Sequence, residues 1–328
     1  MLTVEPPLLD ETGRVTAPLL VVDLDDPQAE VPLRDERLLV GCATRPLGVD
    51  RRKAAAMLDV TFVQAEGVSR PEFVSVPDPL GAARQLRDTA AANPQAALVL
   101  GHVLRAAPAD VSVALDLESF AYSTLLGGAE FARWLAWRGP RQLPSSPPAP
   151  PVLVHRADDT LHVTLNRPER RNAYGREVRD GLVEALRLAL FDSALTRVVL
   201  DGTGPSFSSG GDLDEFGTTP DIATAHFIRT RGGAGRLVHR LADRVEARLH
   251  GACVGAGIEV PAFAGHVVAR QGTTFRLPEV GMGLIPGAGG TVSIARRIGR
   301  WRTFYLALSG RPLPTGTALD WGLIDVIE

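Results

Sequence analysis

At 328 residues the chain is long enough for one large domain or two ordinary ones. Hydrophobic residues make up 45%, mean hydropathy is near zero and the formal net charge is −3, a soluble globular composition that excludes disordered and fibrous classes. No basic block or tail offers a phosphate-backbone footprint, so nucleic acid is excluded as a partner. Arginine is abundant while Lys53 is the only lysine, a coding bias rather than a binding surface. Cys42 and Cys253 form no metal or CxxC spacing and fit a reducing cytoplasm. The first residues, Met-Leu-Thr-Val-Glu-Pro-Pro7, lack the charged and apolar regions of a signal peptide. No apolar stretch approaches the roughly 20 residues that span a bilayer, so no membrane is expected and the predicted location is cytoplasmic.

In chain order, Leu19 to Leu24, Leu38 to Ala43, Val60 to Gln64 and Ala96 to Val103 are apolar runs of strand length. Leu80 to Ala92 is predicted helical, with Leu80, Ala83, Leu86 and Ala90 on one face. Val111 to Leu126 and Glu130 to Trp137 form two more helices, broken at Gly127-Gly128. The acids of this part, and its histidine His102, are scattered and suggest no catalytic constellation. The Pro-rich segment at 140–151 disfavours strand pairing and reads as a semi-rigid spacer. It divides an N-terminal α/β domain, residues 1–139, from residues 152–328.

The second part opens with the strand Leu161 to Asn166, stopped by Pro168. A helix with Val178, Leu182, Leu186 and Leu190 on one side follows, then the strand Arg197–Leu200. A long helical stretch around Ala223–Ala242 and the strand Val245–Leu249 continue the alternation expected of an α/β sheet with crossover helices. The stretch Arg229 to Gly235 reads as a surface loop between helices, with a lid as the alternative.

Three glycine-rich segments carry the chemistry. In His250-Gly-Ala-Cys-Val-Gly-Ala-Gly-Ile-Glu259, Gly255 and Gly257 permit a sharp strand-to-helix turn. The helix starting near Gly257 leaves unpaired N–H groups, and its dipole favours negative charge there, with Glu259 alongside. In Phe207-Ser-Ser-Gly-Gly-Asp-Leu213 the small side chains of Ser208, Ser209, Gly210 and Gly211 let peptide N–H groups approach a ligand. Asp212 is most simply an N-cap for Leu213–Phe216. Glu279 lies in Pro-Glu279-Val-Gly-Met-Gly, upstream of Ile285-Pro-Gly-Ala-Gly-Gly-Thr291. Each segment alone reads as a tight connection or an exposed acid; together, two acids and two N–H-presenting turns suit thioester enolate chemistry.

With Asn166-Arg-Pro-Glu-Arg-Arg-Asn-Ala173 and Leu308-Ser-Gly-Arg…Ala318-Leu-Asp-Trp-Gly-Leu-Ile-Asp325, these segments resemble, in order, the core of the crotonase superfamily, the enoyl-CoA hydratase/isomerase family. The resemblance covers about residues 152–327. It implies a spiral of β-β-α units binding an acyl-CoA, with no cofactor beyond the coenzyme A of the substrate. It also implies an oxyanion hole from the backbone N–H groups of Ser209 and Ala256, with Glu259 as base toward water and Glu279 as acid toward Cα. Asn172 and Ala173 would meet the adenine end, Asp212 and Leu213 the pantetheine, while Gly210, Gly211, Gly255, Gly257 and Gly287 would line the site. A homo-oligomer, trimer or dimer of trimers, is the family expectation.

The pattern departs from the family in three ways. Ser209 and Gly211 replace more usual alanines, and Ala256 replaces a glycine. Family members also continue past the Trp-Gly-Leu-Ile-like segment as helices that cover the CoA site, whereas this chain stops at Glu328. Either the sequence is cut short or another segment does that job. The helix pair in Val113–Ala136 has the look of it, the strands before it read as a degenerate half-repeat of the same fold or an oligomerisation unit, and the N-terminal part is expected to substitute. Retention of both glutamates favours a hydratase or dehydratase over an isomerase, a C–C lyase or a cofactor-free oxygenase on the same scaffold. A non-catalytic CoA-binding scaffold is the rival of another class. The seven histidines show no ligand spacing, so no metal is expected. Gly255-Ala-Gly257 lacks the third glycine of a dinucleotide fingerprint.

Overall fold

The computed structural model describes residues 7–29, 31, 35–64, 70–141 and 147–328. Residues 1–6, where a signal peptide was sought, and 142–146 of the Pro-rich spacer lie outside the described residues.

The N-terminal part begins with β1 (Leu19–Asp23) and β2 (Leu38–Ala43), followed by α1 (Val49–Met57), β3 (Val60–Val63) and β4 (Phe73–Ser75). These strands form a parallel sheet in the order β1-β2-β3-β4. Both faces of β2 are buried, which explains its unbroken apolar run. Four helices follow: α2 (Pro79–Ala92), α3 (Pro94–Ala106), α4 (Val111–Leu126) and α5 (Ala129–Arg138). The run Ala96–Val103, expected as a strand, lies inside α3. Pro94 sits at the start of this helix, and the run is dominated by Ala and Leu rather than β-branched residues, which favours helix. A short apolar run does not by itself tell a buried strand from a buried helix.

The C-terminal part contains β5 (Val152–Ala157), β6 (Thr160–Leu165), α6 (Arg176–Phe191) and β7 (Arg197–Gly202). Next come α7 (Ile222–Gly232), α8 (Gly235–Arg240), β8 (Val245–Leu249), β9 (Ala252–Val254) and the one-turn α9 (Ala256–Glu259). The chain closes with β10 (His266–Ala269), β11 (Thr274–Arg276), α10 (Gly290–Ser309), β12 (Leu313–Pro314), α11 (Thr315–Trp321) and β13 (Val326–Ile327). The long helix expected over Ala223–Ala242 is divided at Gly233-Ala234, and Arg229 belongs to the last turn of α7 rather than to a loop.

Consecutive strands divide between two sheets. One has six strands in the order β13-β10-β8-β7-β6-β5, and the other has three in the order β12-β11-β9. Thus β8 and β10 enter the large sheet, while their successors β9 and β11 enter the small one before α9 and α10 begin. This β-β-α succession puts the glycine-rich connections of both units beside each other.

One continuous core runs through both parts of the chain, including Leu38, Phe62, Leu104, Leu200, Phe275 and Phe304. The ring of Phe62 meets Tyr305 edge-on, with centroids 5.7 Å apart. Earlier in α10, the Trp301 indole donates to the Ala56 carbonyl and Arg302 to the Arg70 carbonyl. Among the described residues no helix is long and apolar enough to cross a membrane.

Candidate active site

Two backbone turns meet at the site. The 207–213 turn runs beside β9, where Val254 N–H donates to the Ser208 carbonyl at 3.1 Å. Gly210 has φ +88°, and a Cβ there would lie 2.4 Å from the Val254 oxygen. A Cβ on Gly257 would lie 2.4 Å from the Ser208 oxygen. Backbone therefore packs on backbone at both points, leaving no room for a side chain.

Ser209 does not fill the role expected of it. Its N–H donates to the Arg171 carbonyl at 2.8 Å and is spent inside the protein. Two residues on, the Gly211 N–H has no acceptor among the described residues, because the pairing with Tyr174 uses the Gly210 carbonyl and the Asp212 N–H. Ala256, the first residue of α9, likewise has no acceptor for its N–H among the described residues. Gly211 and Ala256 both line one cavity of ≈ 200 Å³.

Three buried acids line this cavity: Glu259, Glu279 and Glu118. Glu259 stands at the end of α9, and its Oε2 accepts from the N–H groups of Ala288 (2.7 Å) and Gly290 (2.9 Å). Glu279 follows β11, and its Oε2 is buried without a partner among the described residues. Burial raises Glu279 to about 8, reinforced by the charge of Glu118. Burial also holds Glu259 well above the usual carboxylate range, with Glu279 and Glu118 adding repulsion and the two N–H donors opposing it.

Glu118 is the residue that sequence reasoning missed. It comes from α4, in the part where no constellation was expected. Its Oε1 accepts from Gly289 N–H at 2.8 Å, and its Oε2 from Thr291 N–H at 2.9 Å and the Thr291 hydroxyl at 2.7 Å. Burial raises it to about 7, with those hydrogen bonds opposing. Glu118 and Glu259 together cap the N-terminus of α10, where a helix presents unpaired N–H groups and favours negative charge. The only local signal was an acid inside an apolar helix, and that signal does not name a partner.

A second cavity, of ≈ 780 Å³, opens on the other side of Gly211, Phe216 and Glu279, which line both. Ser209, Gly210, Leu213 and Gly255 line it, and so do Trp134 and Trp137 of α5. Leu115, Glu118, Ser119 and Tyr122 of α4 line the first. The α4–α5 pair, expected to substitute for a covering segment, thus forms a wall of each cavity.

The remaining expected binding residues divide. Gly287 lines the first cavity, in contact range of Tyr122. Gly257 is used in the close approach to Ser208. Asn172 is fully buried and internally satisfied: Oδ1 accepts from Arg167 N–H, and Nδ2 donates to the Thr203 and Ser206 carbonyls. It holds the turn rather than a ligand, and neither Asn172 nor Ala173 lines either cavity. Asp212 does not cap a helix, since residues 213–216 form turns. It pairs with Arg170 and accepts from Asp214 N–H at 3.0 Å. Among the described residues no group of three His, Cys, Asp or Glu is arranged to hold a metal ion.

Residues 156–328 match the family described as enoyl-CoA hydratase/isomerase. The 2,3-dehydroadipyl-CoA hydratase of Escherichia coli is 32% identical over 173 residues, which cover 53% of this chain and 67% of that protein. The 1,2-epoxyphenylacetyl-CoA isomerase of the same organism is 32% identical over 178 residues, covering 53% and 68%. Among solved structures, an enoyl-CoA hydratase from Thermoplasma volcanium superposes with a TM-score of 0.51 at 29% identity, covering 55% of this chain and 72% of that one. An enoyl-CoA hydratase from Mycobacterium smegmatis gives 0.51 at 28%, covering 55% and 70%. The solved structures share the fold described above, and the chain belongs to the enoyl-CoA hydratase/isomerase family of the crotonase superfamily.

Proposed function

We propose that the protein adds water across the Cα–Cβ double bond of an α,β-unsaturated acyl-CoA, or removes it in reverse. The observation that carries this reading is a Glu279 Oε2 without a partner among the described residues, in the same cavity as Glu259, with the N–H groups of Gly211 and Ala256 likewise unengaged by them. The thioester oxygen accepts from those two N–H groups, and each such donor stabilises the developing enolate by about 3 kcal/mol. The acyl group lies in the smaller cavity and the pantetheine in the larger, so Cα and Cβ fall where the two meet.

Glu259 acts as base toward water and Glu279 delivers a proton to Cα. The two N–H donors on Glu259 support its charged form, and Glu279, raised to about 8, keeps its proton at neutral pH. Two carboxylates in one dry site resist carrying two charges, so the proton belongs to the pair. The coenzyme A of the substrate is the only cofactor required, and a homo-oligomer is the assembly proposed.

The test is loss of the enoyl-thioester ultraviolet band on a panel of acyl-CoA esters, with product masses. Loss of the band with gain of one water, absent in Glu259→Gln and Glu279→Gln, is the expected result. Conversion without gain of mass would replace hydration by double-bond isomerisation, which needs one acid rather than two. An unchanged panel with intact binding would leave a CoA-binding role.

A further inference from the structure

One wall of the smaller cavity carries a cation that makes no ion pair among the described residues. Four arginines line this cavity: Arg176, Arg179, Arg229 and Arg236. Arg236 is paired with Asp116 at 2.6 Å, Arg179 with Asp180 at 2.7 Å, and Arg176 is exposed. Arg229 is half-buried and makes no ion pair among the described residues. Its Nε donates to the Ser119 hydroxyl at 3.1 Å, and its Nη2 to the Ser119 carbonyl at 3.2 Å and to the Ser123 hydroxyl. The guanidinium lies over the Tyr122 ring, 4.6 Å from its centroid. Nη1 donates to no described group, yet it is not among the side-chain atoms sealed away from open space.

A guanidinium taken out of water needs a counter-charge or a full set of acceptors. Burial disfavours the charge of Arg229, which the fields of Tyr122 and Glu118 only partly offset. Glu118 is occupied by the Gly289 and Thr291 donors. The serines and the tyrosine ring fix the plane of the guanidinium, so the open Nη1 edge has a set direction and loses little freedom on binding.

We infer that Arg229 receives a carboxylate at the far end of the acyl group, making the substrate a dicarboxylic acid joined to coenzyme A through one end. With ≈ 200 Å³ of space, the cavity suits a short acyl chain. This inference rests on the proposal that the smaller cavity holds the acyl group.

The experiment is calorimetric binding of two saturated six-carbon acyl-CoA thioesters, one ending in a methyl group and one in a carboxylate. Saturated thioesters cannot be hydrated, so the comparison reads Arg229 whether or not the protein is a hydratase. The expected result is at least about tenfold tighter binding of the carboxylate-ended ligand. That ratio falls to near one in Arg229→Met and is partly kept in Arg229→Lys. Equal affinity in the unaltered protein, preference for the methyl end, or no binding of either overturns the inference without needing a variant to fold. Turnover of methyl-ended enoyl-CoA together with equal binding would leave the hydratase reading standing and remove this one. A carboxylate preference without turnover of any enoyl-CoA would do the reverse.

Discussion

Glu118 and Glu259 are held by alternate N–H groups of one four-residue stretch. Ala288 and Gly290 donate to Glu259, and Gly289 and Thr291 donate to Glu118. An acid from the N-terminal part thereby fixes the same backbone that fixes the proposed base. Glu118 acts as a positioning residue, and two carboxylates share the N-terminal charge of α10.

Removing Glu118 leaves the Gly289 and Thr291 N–H groups buried without acceptors. Glu118→Ala is expected to lower stability by at least about 2 kcal/mol, read from urea denaturation. Its kcat falls more than its KM changes, because the stretch gripping Glu259 loosens. Glu118→Gln keeps one acceptor oxygen and gives a smaller loss on both measures. Unaltered kcat in Glu118→Ala would show that the stretch holds its shape alone.

Glu259→Gln and Glu279→Gln each remove a group that moves a proton, and kcat for enoyl-CoA hydration is expected to fall by about 10²–10⁴. Affinity for a saturated acyl-CoA changes little, since the Gly211 and Ala256 N–H groups remain. A variant retaining near-full kcat would take its residue out of the reaction.

Stability follows pH with a definite sign. Glu118 is raised to about 7 and Glu279 to about 8, both above the ordinary glutamate range. The folded state therefore holds protons that the unfolded chain has released, and their contribution is full below about pH 4.5 and lost as pH rises through 7 to 8. Denaturation midpoints at pH 5.5, about 7 and about 8.5 are expected to decline for this reason. The decline is shallower in Glu118→Gln and in Glu279→Gln, and an equal slope in both variants would assign it to other groups.

Deleting residues 1–150 removes Glu118, the α4 and α5 walls and one side of the shared core. The remainder is expected to be insoluble, or soluble without turnover, by size-exclusion chromatography and the ultraviolet assay. A fully active remainder of native oligomeric state would show that the N-terminal part does not complete the site.

Gly257→Ala places a methyl carbon 2.4 Å from the Ser208 oxygen. Overpacking of this kind costs about 1–3 kcal/mol and separates the two turns, so kcat is expected to fall along with thermal stability. Both turns are backbone, and no side-chain rotation relieves the contact.

The sequence by itself determined the strand–helix alternation of residues 152–328, marked the two acids Glu259 and Glu279, and carried the family through its motifs, whose resemblance implied the β-β-α spiral. Each is a local matter: strand and helix periods, glycine punctuation, and an acid at a fixed offset from a turn. Periodicity failed at Ala96–Val103, where a short apolar run fits strand and helix equally until its neighbours are known. It also left open which N–H in the 207–213 turn is available. Only the tertiary structure decided that, by directing the Ser209 N–H to the Arg171 carbonyl and giving the Gly211 N–H no acceptor among the described residues. The same holds for Asn172, whose amide is consumed by Thr203 and Ser206 rather than by a ligand. Glu118, Tyr122 and Arg229 line the smaller cavity because α4 packs against α7 and α10. That contact joins residues far apart in the chain, through apolar faces that do not identify their partners from sequence alone.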